Sequence, residues 1–441
     1  MADSDWVRGN LLDLEIPAHA EALKAGGVEF LTRAFHAAGS LATDNRVTGV
    51  TRFEEFAGGS TGRKVALSVS YQRPEPNLPE DLFVKFSRDF DNPRRDNARM
   101  QMGSEVRFGL LSRIPEFPVP VPRCLTADFD YETGTGLLIS ERIGFGEGRI
   151  ERHYAKARDY EMPDIAGHYD ALVTAIARLA GTDRAGGFPA EVMAPLQHDP
   201  FKAQLRSRGG YSVEQLRTRV ERYAAFAAKY PRLLPQAIRS EAFIARFAEE
   251  VLLAADCGDV VEAELESGPD MHAFCHWNAN VDNAWFWRED DGRLACGLMD
   301  WGNVGRIDMV QALSSCLSFA ETDFLVANLD RLFALFKKVY DSCGAPPLDL
   351  AVMKHRFTLK MASSSPHWML DAAALVERQV PDLADVPDRF DPRIRDDEHA
   401  RTQLHMLIKF LTLWQALDMG GVLERTVRQS AGRERAALGG R

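Results

Sequence analysis

The sequence has few cysteines, no excess of positive charge and no long uncharged apolar run. Its six cysteines stand singly among 441 residues, without a Cys-x-x-Cys pair, which excludes a disulfide scaffold. Lys and Arg number 53 against 64 Asp and Glu, a formal net charge of −11, so we expect neither a nucleic-acid partner nor an anionic membrane surface as a partner. The most apolar stretch, residues 406–422, contains Lys409 and Asp418 and is predicted as a buried helix rather than a membrane span.

What the sequence does have is the composition of a globular protein, with 45% hydrophobic and 27% charged residues. The opening MADSDWVRGN is acidic and polar, whereas a secretory signal begins with basic residues followed by an apolar stretch. We therefore expect a cytoplasmic protein. The sequence does not indicate an oligomeric state.

Two halves of the chain differ in their hydrophobic pattern. In residues 1–143 helical periodicity alternates with short strand-like segments, which predict helices at 18–39 and 97–113 and strands at 47–56, 64–71, 82–86, 125–131 and 136–142. Residues 144–441 are mostly helical, with one β-like block at 271–301. The pattern predicts an α+β chain with two lobes, divided between residues 143 and 144, whose first strands form an antiparallel meander.

A glycine-rich loop joins the first two of these strands, and it comprises Gly58, Gly59, Ser60, Thr61 and Gly62. Glycines let backbone amides approach a phosphate closely, and the two hydroxyls add donors. The loop is one residue shorter than a Walker A motif and leads into a strand rather than a helix. By itself it is more typical of a plain hairpin turn.

Lys85 lies in the otherwise apolar strand LFVKF. A buried ammonium group needs an anionic partner. Glu105, in the predicted helix GSEVRFGLL, is the natural counter-ion, and nucleotide phosphates are the second candidate. The alternative is an exposed lysine on an edge strand.

Two further polar residues flank a predicted β-hairpin. Asn283 precedes its first strand and Asp300 follows its second, within AFCHWNANVDNAWFW and LMDWGNVG. Because such a hairpin brings its two ends together, we expect an amide oxygen and a carboxylate to converge. Both are hard ligands suited to Mg²⁺ bound to phosphates.

The order of these motifs resembles the aminoglycoside phosphotransferase and choline kinase branch of the protein-kinase-like fold. The resemblance spans residues 47–320 and includes LLISERI at 137–143, His276-Trp277-Asn278 and Asp300-Trp301. It implies a bilobal fold with a small antiparallel sheet in the N-lobe and a larger helical C-lobe. It also implies phosphoryl transfer from ATP or another NTP, with Mg²⁺, to a small-molecule acceptor.

The resemblance also implies roles for single residues on the nucleotide side. The loop 58–62 would cover the phosphates, and Lys85, paired with Glu105, would contact the α and β phosphates. The backbone near Glu141 and Ile143 would hydrogen-bond adenine.

On the catalytic side, the resemblance implies that Asn283 and Asp300 hold Mg²⁺. His276 would be structural, and Asp308 would brace the metal-binding loop. The family pattern at the preceding loop is His-Gly-Asp, in which the aspartate accepts the proton of the substrate hydroxyl.

This sequence departs from that pattern with Trp277 in place of the glycine and Asn278 in place of the aspartate. An amide is not a general base at neutral pH, and Asp282, four residues later, does not obviously replace it. One interpretation is a kinase in which Asn278 orients an already acidic acceptor such as a phenol, with Trp277 shaping the acceptor pocket. The alternatives are a nucleotide-binding pseudokinase, a nucleotidyl transferase of the same fold, or a non-enzymatic scaffold.

Overall fold

The computed structural model describes residues 5–56, 61–197, 210–302 and 304–439. Its N-terminal part is built on strands β1 (Trp6–Arg8), β2 (Glu15–Pro17), β3 (Val47–Phe56), β4 (Lys64–Tyr71), β5 (Asp81–Phe86), β6 (Cys124–Asp130) and β7 (Thr135–Glu141). The last five form one antiparallel sheet in the order β3-β4-β5-β7-β6, while β1 and β2 pair separately. The antiparallel meander predicted for the first strands is present in β3, β4 and β5, and β7 continues the sheet between β5 and β6.

The side chains of β4 and β5 alternate between the two faces of the sheet. One face packs into an apolar core with helix α1 (Ala20–Ala37) and includes Val65, Leu67, Val69, Leu82, Val84 and Phe86. The other face lines an open cavity and includes Lys64, Ala66, Phe83 and Lys85. The period of two in these strands thus separates core residues from site residues.

Three helices accompany the sheet, and neither of the two helices predicted in this part of the chain is observed as one continuous helix with its predicted bounds. Helix α1 is broken at Gly27, whose φ of 50° is not helical. The helix predicted at 97–113 is observed as α3 (Met102–Leu111), and a separate short helix, α2 (Pro93–Asn97), precedes it. The side chain of Asn92 caps α2 by accepting from two backbone amides, with Pro93 in the first turn, so the helix starts earlier than periodicity suggests.

The C-terminal part is mostly helical, as predicted. Its helices are α4 (Ile165–Arg184), α5 (Ala190–Met193), α6 (Val213–Lys229), α7 (Gln236–Arg239), α8 (Glu241–Glu250), α9 (Leu253–Asp256), α10 (Gly258–Ser267), α11 (Met309–Cys316), α12 (Thr322–Ser342), α13 (Leu350–Ser364), α14 (Pro366–Met369), α15 (Ala372–Gln379), α16 (Pro392–Arg395), α17 (Glu398–Ala416) and α18 (Met419–Gly439). Between α10 and α11 lie the strands β8 (His272–Cys275), β9 (Ala284–Arg288), β10 (Leu294–Leu298) and β11 (Gly305–Asp308). They form two antiparallel pairs, β9 with β10 and β8 with β11.

The N-terminal and C-terminal parts have separate apolar cores. The sheet and α1 enclose one core, and the C-terminal helices enclose a larger one. Helix α3 joins the two parts, because Met102 and Val106 pack under β6 and β7 while Phe108 and Leu111 belong to the C-terminal core. The chain is thus α+β with a small N-terminal sheet and a larger helical part, and a division between residues 143 and 144 stays a prediction.

Among the helices that the structure describes, none has by itself the length and apolar composition of a membrane-crossing segment. Helix α17 and residues Met419–Gly432 meet those criteria only as a pair, and they are bent by 60°. The apolar side chains of α17 are mostly buried in the C-terminal core.

Candidate functional site

A cavity of about 620 Å³ lies between the sheet and the segment that follows β10. Its apolar wall contains Phe56, Ala66, Phe83, Leu138, Ile143 and Phe145. Its acidic and basic side chains within the described residues are Arg52, Glu54, Lys64, Lys85, Glu105, Glu141, Arg142, His153 and Asp300. A cavity with one apolar wall and one wall rich in charge suits a ligand that has both an aromatic and an ionic part.

Lys85 lies at the centre of the charged wall. Its Nζ donates to both carboxylate oxygens of Glu105, at 2.9 and 2.7 Å, and to Oδ1 of Asp300 at 2.7 Å. Burial alone would lower the pKa of the Lys85 ammonium, but the two carboxylates raise it. The counter-ion expected from the sequence is present, and Asp300 is a second one that the sequence pattern does not reveal.

Asp300 adopts an unusual backbone conformation for this position. Its φ of 60° lies in the left-handed region, which is uncommon for a residue with a side chain and recurs at functional sites. Its side chain is 50% exposed towards the cavity, and the neighbouring Lys85 ammonium lowers its pKa to about 2. Asp300 therefore presents an ionised carboxylate to any ligand in the cavity.

Trp301, the residue after Asp300, fixes this segment to the rest of the molecule. The Trp301 indole N–H donates to the carbonyl of Leu298 at 2.9 Å. Its ring stacks on that of Phe108, with centroids 3.8 Å apart and an interplanar angle of 10°. Because Phe108 lies one helical turn after Glu105 on α3, this contact ties together the two elements that supply the carboxylates around Lys85.

Lys64 is a second buried lysine in the cavity that motif reasoning missed. It lies directly opposite Lys85 in the β4–β5 register and is 6% exposed. Its Nζ donates to the carbonyls of Thr61 and, at 3.5 Å, of Gly62. Burial and the like charge of Lys85 lower its pKa to about 8.

The described end of the glycine-rich loop lies beside these lysines. Thr61 lines the cavity, and Gly62 has a φ of 47° with its Cα so close to β5 that a Cβ would lie 1.8 Å from the carbonyl oxygen of Phe86. Only glycine fits that position. Gly58, Gly59 and Ser60 lie outside the described residues, so their predicted phosphate contacts stay predictions.

At the other end of the cavity, Glu141 and Ile143 are part of the lining, as expected for the segment that would contact adenine. The backbone N–H of Glu141 donates to the carbonyl of Arg123 at 2.8 Å. Adenine binding at these two residues stays a prediction.

His276 supports the segment that carries Asp300. Its Nε2 donates to the carbonyl of Met299 at 3.0 Å, and its Nδ1 accepts from the backbone N–H of Asn278 at 3.3 Å, a tautomer that these two partners assign. Burial lowers its pKa to about 4, so the ring is neutral at pH 7. This geometry fits the structural role predicted for His276.

Asn283 lies where the β9–β10 hairpin closes. Its carbonyl accepts from the backbone N–H of Met299 at 2.9 Å, next to Asp300, so the convergence expected from the hairpin is present in the backbone. Its side-chain Nδ2 donates to the carbonyl of Asn278 at 3.0 Å. This bond orients the amide and leaves Oδ1 as the remaining donor atom for a cation.

Asn278, like His276 and Asn283, is not part of the cavity lining in the described structure. Its side-chain Oδ1 is buried and has no hydrogen-bond partner among the described residues. A buried acceptor atom without a donor is costly, so the Oδ1 of Asn278 is a candidate for bonding a ligand hydroxyl.

Trp277 is half-buried and packs against the C-terminal core. Its predicted contact with an acceptor stays a prediction.

The loop between Asn278 and Asn283 is held by His153 and Lys156, two residues that the sequence motifs do not include. Lys156 Nζ lies 3.3 Å from the carboxylate of Asp282, and the ring Nε2 of His153 bonds to the backbone carbonyl of Asp282 at 3.0 Å. The Asp282 carboxylate is thus engaged with Lys156 rather than placed among the residues that line the cavity.

Asp308 is buried at the end of β11. One of its oxygens accepts from the backbone N–H of Val310 at 2.9 Å and caps α11. The other accepts from Arg356 at 2.9 Å and from Lys360 at 3.0 Å, both on α13. Burial alone would raise its pKa, but the two cations hold it below its usual range. Asp308 therefore connects the strand after the Asp300 segment to α13, which fits the bracing role predicted for it.

Within the described ranges no group of three or more His, Cys, Asp or Glu side chains is arranged to hold a metal ion. A cation at this site would depend on Asp300, the amide oxygen of Asn283 and oxygens of the ligand itself. Mg²⁺ is commonly bound in this way, by one or two protein oxygens together with phosphates and waters.

Several solved structures of small-molecule phosphotransferases are similar to this chain. The GDP complex of wild-type aminoglycoside 2'-phosphotransferase-IIIa is 12% identical with a TM-score of 0.40, and the match covers 83% of this chain and 93% of that one. A choline/ethanolamine kinase family protein from Mesorhizobium loti is 14% identical with a TM-score of 0.37, covering 81% and 92%. A microcompartment-associated aminopropanol kinase is 11% identical with a TM-score of 0.41, covering 88% and 98%.

No protein-family model matches the sequence, and no curated protein sequence matches it. Both kinds of protein that the sequence motifs resemble, aminoglycoside phosphotransferases and choline kinases, are represented among the similar structures. A likeness of this degree does not establish an activity, which depends on the residues of the site.

Proposed function

We propose that this chain is a nucleotide-dependent phosphotransferase that acts on a small molecule with an acidic hydroxyl, such as a phenol. The observation that carries the proposal is the network in which Lys85 bonds to Glu105 and Asp300 at the wall of the cavity. Phosphoryl transfer is catalysed mainly by positioning and by stabilising charge. A buried, oriented lysine next to an ionised carboxylate supplies both.

The residues of the cavity suit ATP, or another NTP, together with Mg²⁺. The apolar wall and the backbone near Glu141 and Ile143 would hold the base, and Lys85 would contact the phosphates. Asp300 and the Oδ1 of Asn283 are hard oxygen donors for the cation. When bound, Mg²⁺ would neutralise charge on the phosphates.

Asn278 is the reason for proposing an acidic acceptor. Its buried Oδ1 receives no hydrogen bond from the described part of the chain and would accept the O–H of a hydroxyl, which would orient the acceptor oxygen. That oxygen forms a bond to the terminal phosphorus while the bond from phosphorus to the bridging oxygen breaks, and the nucleoside diphosphate leaves. Because an amide does not take up the acceptor's proton, the proton goes to solvent, which favours an acceptor that ionises readily.

Turnover of ATP with a panel of acceptors tests the proposal. We expect diphosphate release with phenols to exceed that with aliphatic alcohols of similar size. Asn278→Asp should raise turnover of alcohols by at least about 10²-fold, since a general base contributes about 10² to 10⁴. Asn77→Asp, the same change at an exposed asparagine outside the cavity lining, is the control and should not raise it.

A wild-type protein that prefers alcohols, or an Asn278→Asp variant with no gain on them, would overturn the acceptor assignment. Absence of turnover with every acceptor, together with a thermal shift by ATP that requires Mg²⁺, would replace the kinase with a nucleotide-binding pseudokinase. Release of pyrophosphate instead of a diphosphate would identify nucleotidyl transfer.

A further inference from the structure

The five-stranded sheet ends in two edge strands, β6 and β3, and they differ in how they are covered. Every residue of β6 is buried, and the backbone N–H of Asn10 donates to the carbonyl of Phe129 in this strand at 2.9 Å. In β3, six of the ten residues are exposed. Among the described residues, no segment outside the sheet makes a backbone–backbone hydrogen bond to β3. An uncovered edge of this kind can pair with a further strand.

The pairing of β3 with β4 is irregular at its start and regular at its end. Register shifts lie between Val47 and Gly49 and between Val50 and Arg52, whereas residues 52–56 pair with β4 without interruption. Bulges and charged side chains commonly keep a free edge from pairing with another chain. Because the bulges of β3 leave residues 52–56 regular, the charges of this segment decide what can pair with it.

These charges complement a second copy of the same segment. In an antiparallel pair related by a twofold axis, opposite residues point to the same face of the sheet. A register centred on Arg52, Glu54 or Glu55 would place two like charges opposite each other, which is unfavourable. A register centred on Phe53 would instead place each Arg52 opposite the Glu54 of the other copy. Arg52 and Glu54 lie on one face, since a guanidinium nitrogen of Arg52 donates to Oε2 of Glu54 at 2.5 Å within the chain.

The other face of the segment would supply an apolar contact at the same axis. Phe53 is half-buried and packs against the core under α1. With Leu23, Val28 and Leu31 it lines a groove of about 410 Å³ between α1 and β3. A twofold axis perpendicular to the sheet keeps both α1 helices on the same side, so the two Phe53 side chains would meet at the axis beside the two grooves. Aromatic pairs of this kind are favourable.

We propose that β3 is a dimerisation edge, at which a second copy of this chain pairs antiparallel in a register centred on Phe53, so that the two sheets become continuous. The self-complementary charges of Arg52 and Glu54 identify the partner as a second copy. This inference does not rest on the proposed phosphotransferase activity. One short strand and its flanking groove bury less area than a permanent dimer does, so the association is reversible and depends on concentration.

Sedimentation of the full-length protein, over a range of concentrations that includes micromolar values, measures this association. We expect the wild type to pass from monomer to dimer as its concentration rises. Arg52→Glu would set carboxylates opposite each other twice, and Glu54→Arg would do the same with guanidinium groups. Each variant alone should associate about tenfold more weakly or worse. The readout is mass rather than turnover, because both residues also line the cavity.

An equimolar mixture of the two variants restores both pairs of opposite charges. It should therefore form a heterodimer with an affinity near that of the wild type, although neither variant associates well with itself. Arg217→Glu, the same charge reversal at an exposed arginine on α6, is the matched control and should associate like the wild type.

Hydrogen exchange of the wild type locates the interface without any substitution. The amides of residues 52–56 should exchange more slowly at concentrations where the dimer predominates, while those of β6 should not change. A wild-type protein that stays monomeric would overturn the inference. So would variants that associate as readily as the wild type, a mixture of them that does not associate, or slowed exchange elsewhere than in β3. If a variant proves unstable in chemical unfolding, the exchange measurement on the wild type still decides.

Discussion

Removal of Lys85 should destabilise the protein far more than removal of Asp300, although both belong to one network. Lys85→Met leaves the Glu105 carboxylate buried, with its side chain 7% exposed, and without its cation. Loss of one partner of a buried ion pair typically costs about 3–5 kcal/mol. Asp300→Asn leaves Lys85 bonded to Glu105 and removes a carboxylate that is 50% exposed, so we expect a cost of about 0–1 kcal/mol.

The pair should also show strong coupling in a double-mutant cycle. Lys85→Met combined with Glu105→Gln leaves no lone buried charge, so the double variant should be less destabilised than the sum of the single ones, by about 1–3 kcal/mol. The effect of Lys85→Met alone should depend on pH. A lone buried carboxyl has a raised pKa in the folded protein, so the folded state binds its proton more tightly, and the loss should shrink as the pH falls.

Urea-induced unfolding at pH 5 and pH 8, with the midpoint followed by intrinsic tryptophan fluorescence, measures these differences. The Glu105→Gln background should remove the pH dependence of the Lys85 substitution. The reasoning is refuted if Lys85→Met costs no more than Asp300→Asn, or if the two substitutions in the cycle are additive.

Three further substitutions test the surroundings of the cavity. His276→Ala should lower the free energy of unfolding at pH 7 by about 1–3 kcal/mol, through the loss of two hydrogen bonds. The difference from wild type should shrink as the pH falls from 6.5 towards the lowered pKa of about 4, because the imidazole takes up a proton in the unfolded wild type but stays neutral in the folded one. Gly62→Ala should cost at least about 1 kcal/mol more than Gly186→Ala in chemical unfolding, because both have positive φ but only the first meets a neighbouring carbonyl oxygen. Arg356→Met should cost about 3 kcal/mol in the same assay because it removes one cation from the buried Asp308. A cost below about 1 kcal/mol would show that Lys360 alone compensates that carboxylate.

Local patterns predicted the parts of this structure that depend on short stretches of chain. The bounds of β3 and β4 coincide with the predicted strands at 47–56 and 64–71, because their alternation and flanking turn residues are both local. The hairpin of β9 and β10 was also predicted, and its closure places Asn283 beside Met299. A hairpin with a short turn leaves little freedom in where its ends meet.

What the sequence did not predict depends on register and on contacts between distant segments. The pairing of Lys64 with Lys85 requires the register of β4 and β5, which are joined by a connection of nine residues that does not specify it. The position of β7 between β5 and β6 and the stacking of Phe108 on Trp301 also form only in the assembled molecule. For this reason motif reasoning paired Lys85 with Glu105 but found neither its bond to Asp300 nor the second lysine.

The energetics of the residues around the cavity connect these findings to function. Asp300 holds a left-handed backbone conformation, which costs about 1–3 kcal/mol, and Lys64 and Lys85 bring like charges face to face. Neither the backbone conformation of Asp300 nor the facing lysines are needed to form the apolar core, because the opposite faces of β4 and β5 already pack against α1. A polyanion with a divalent cation would make favourable contacts here, since the cation would bind the Asp300 carboxylate and the phosphates would bind the Lys85 ammonium. The acceptor side is different, because Asn278 supplies a hydrogen-bond acceptor and no base. Nucleotide binding should therefore stabilise the protein against heat even without an acceptor, while turnover should depend on how readily the acceptor's own hydroxyl ionises.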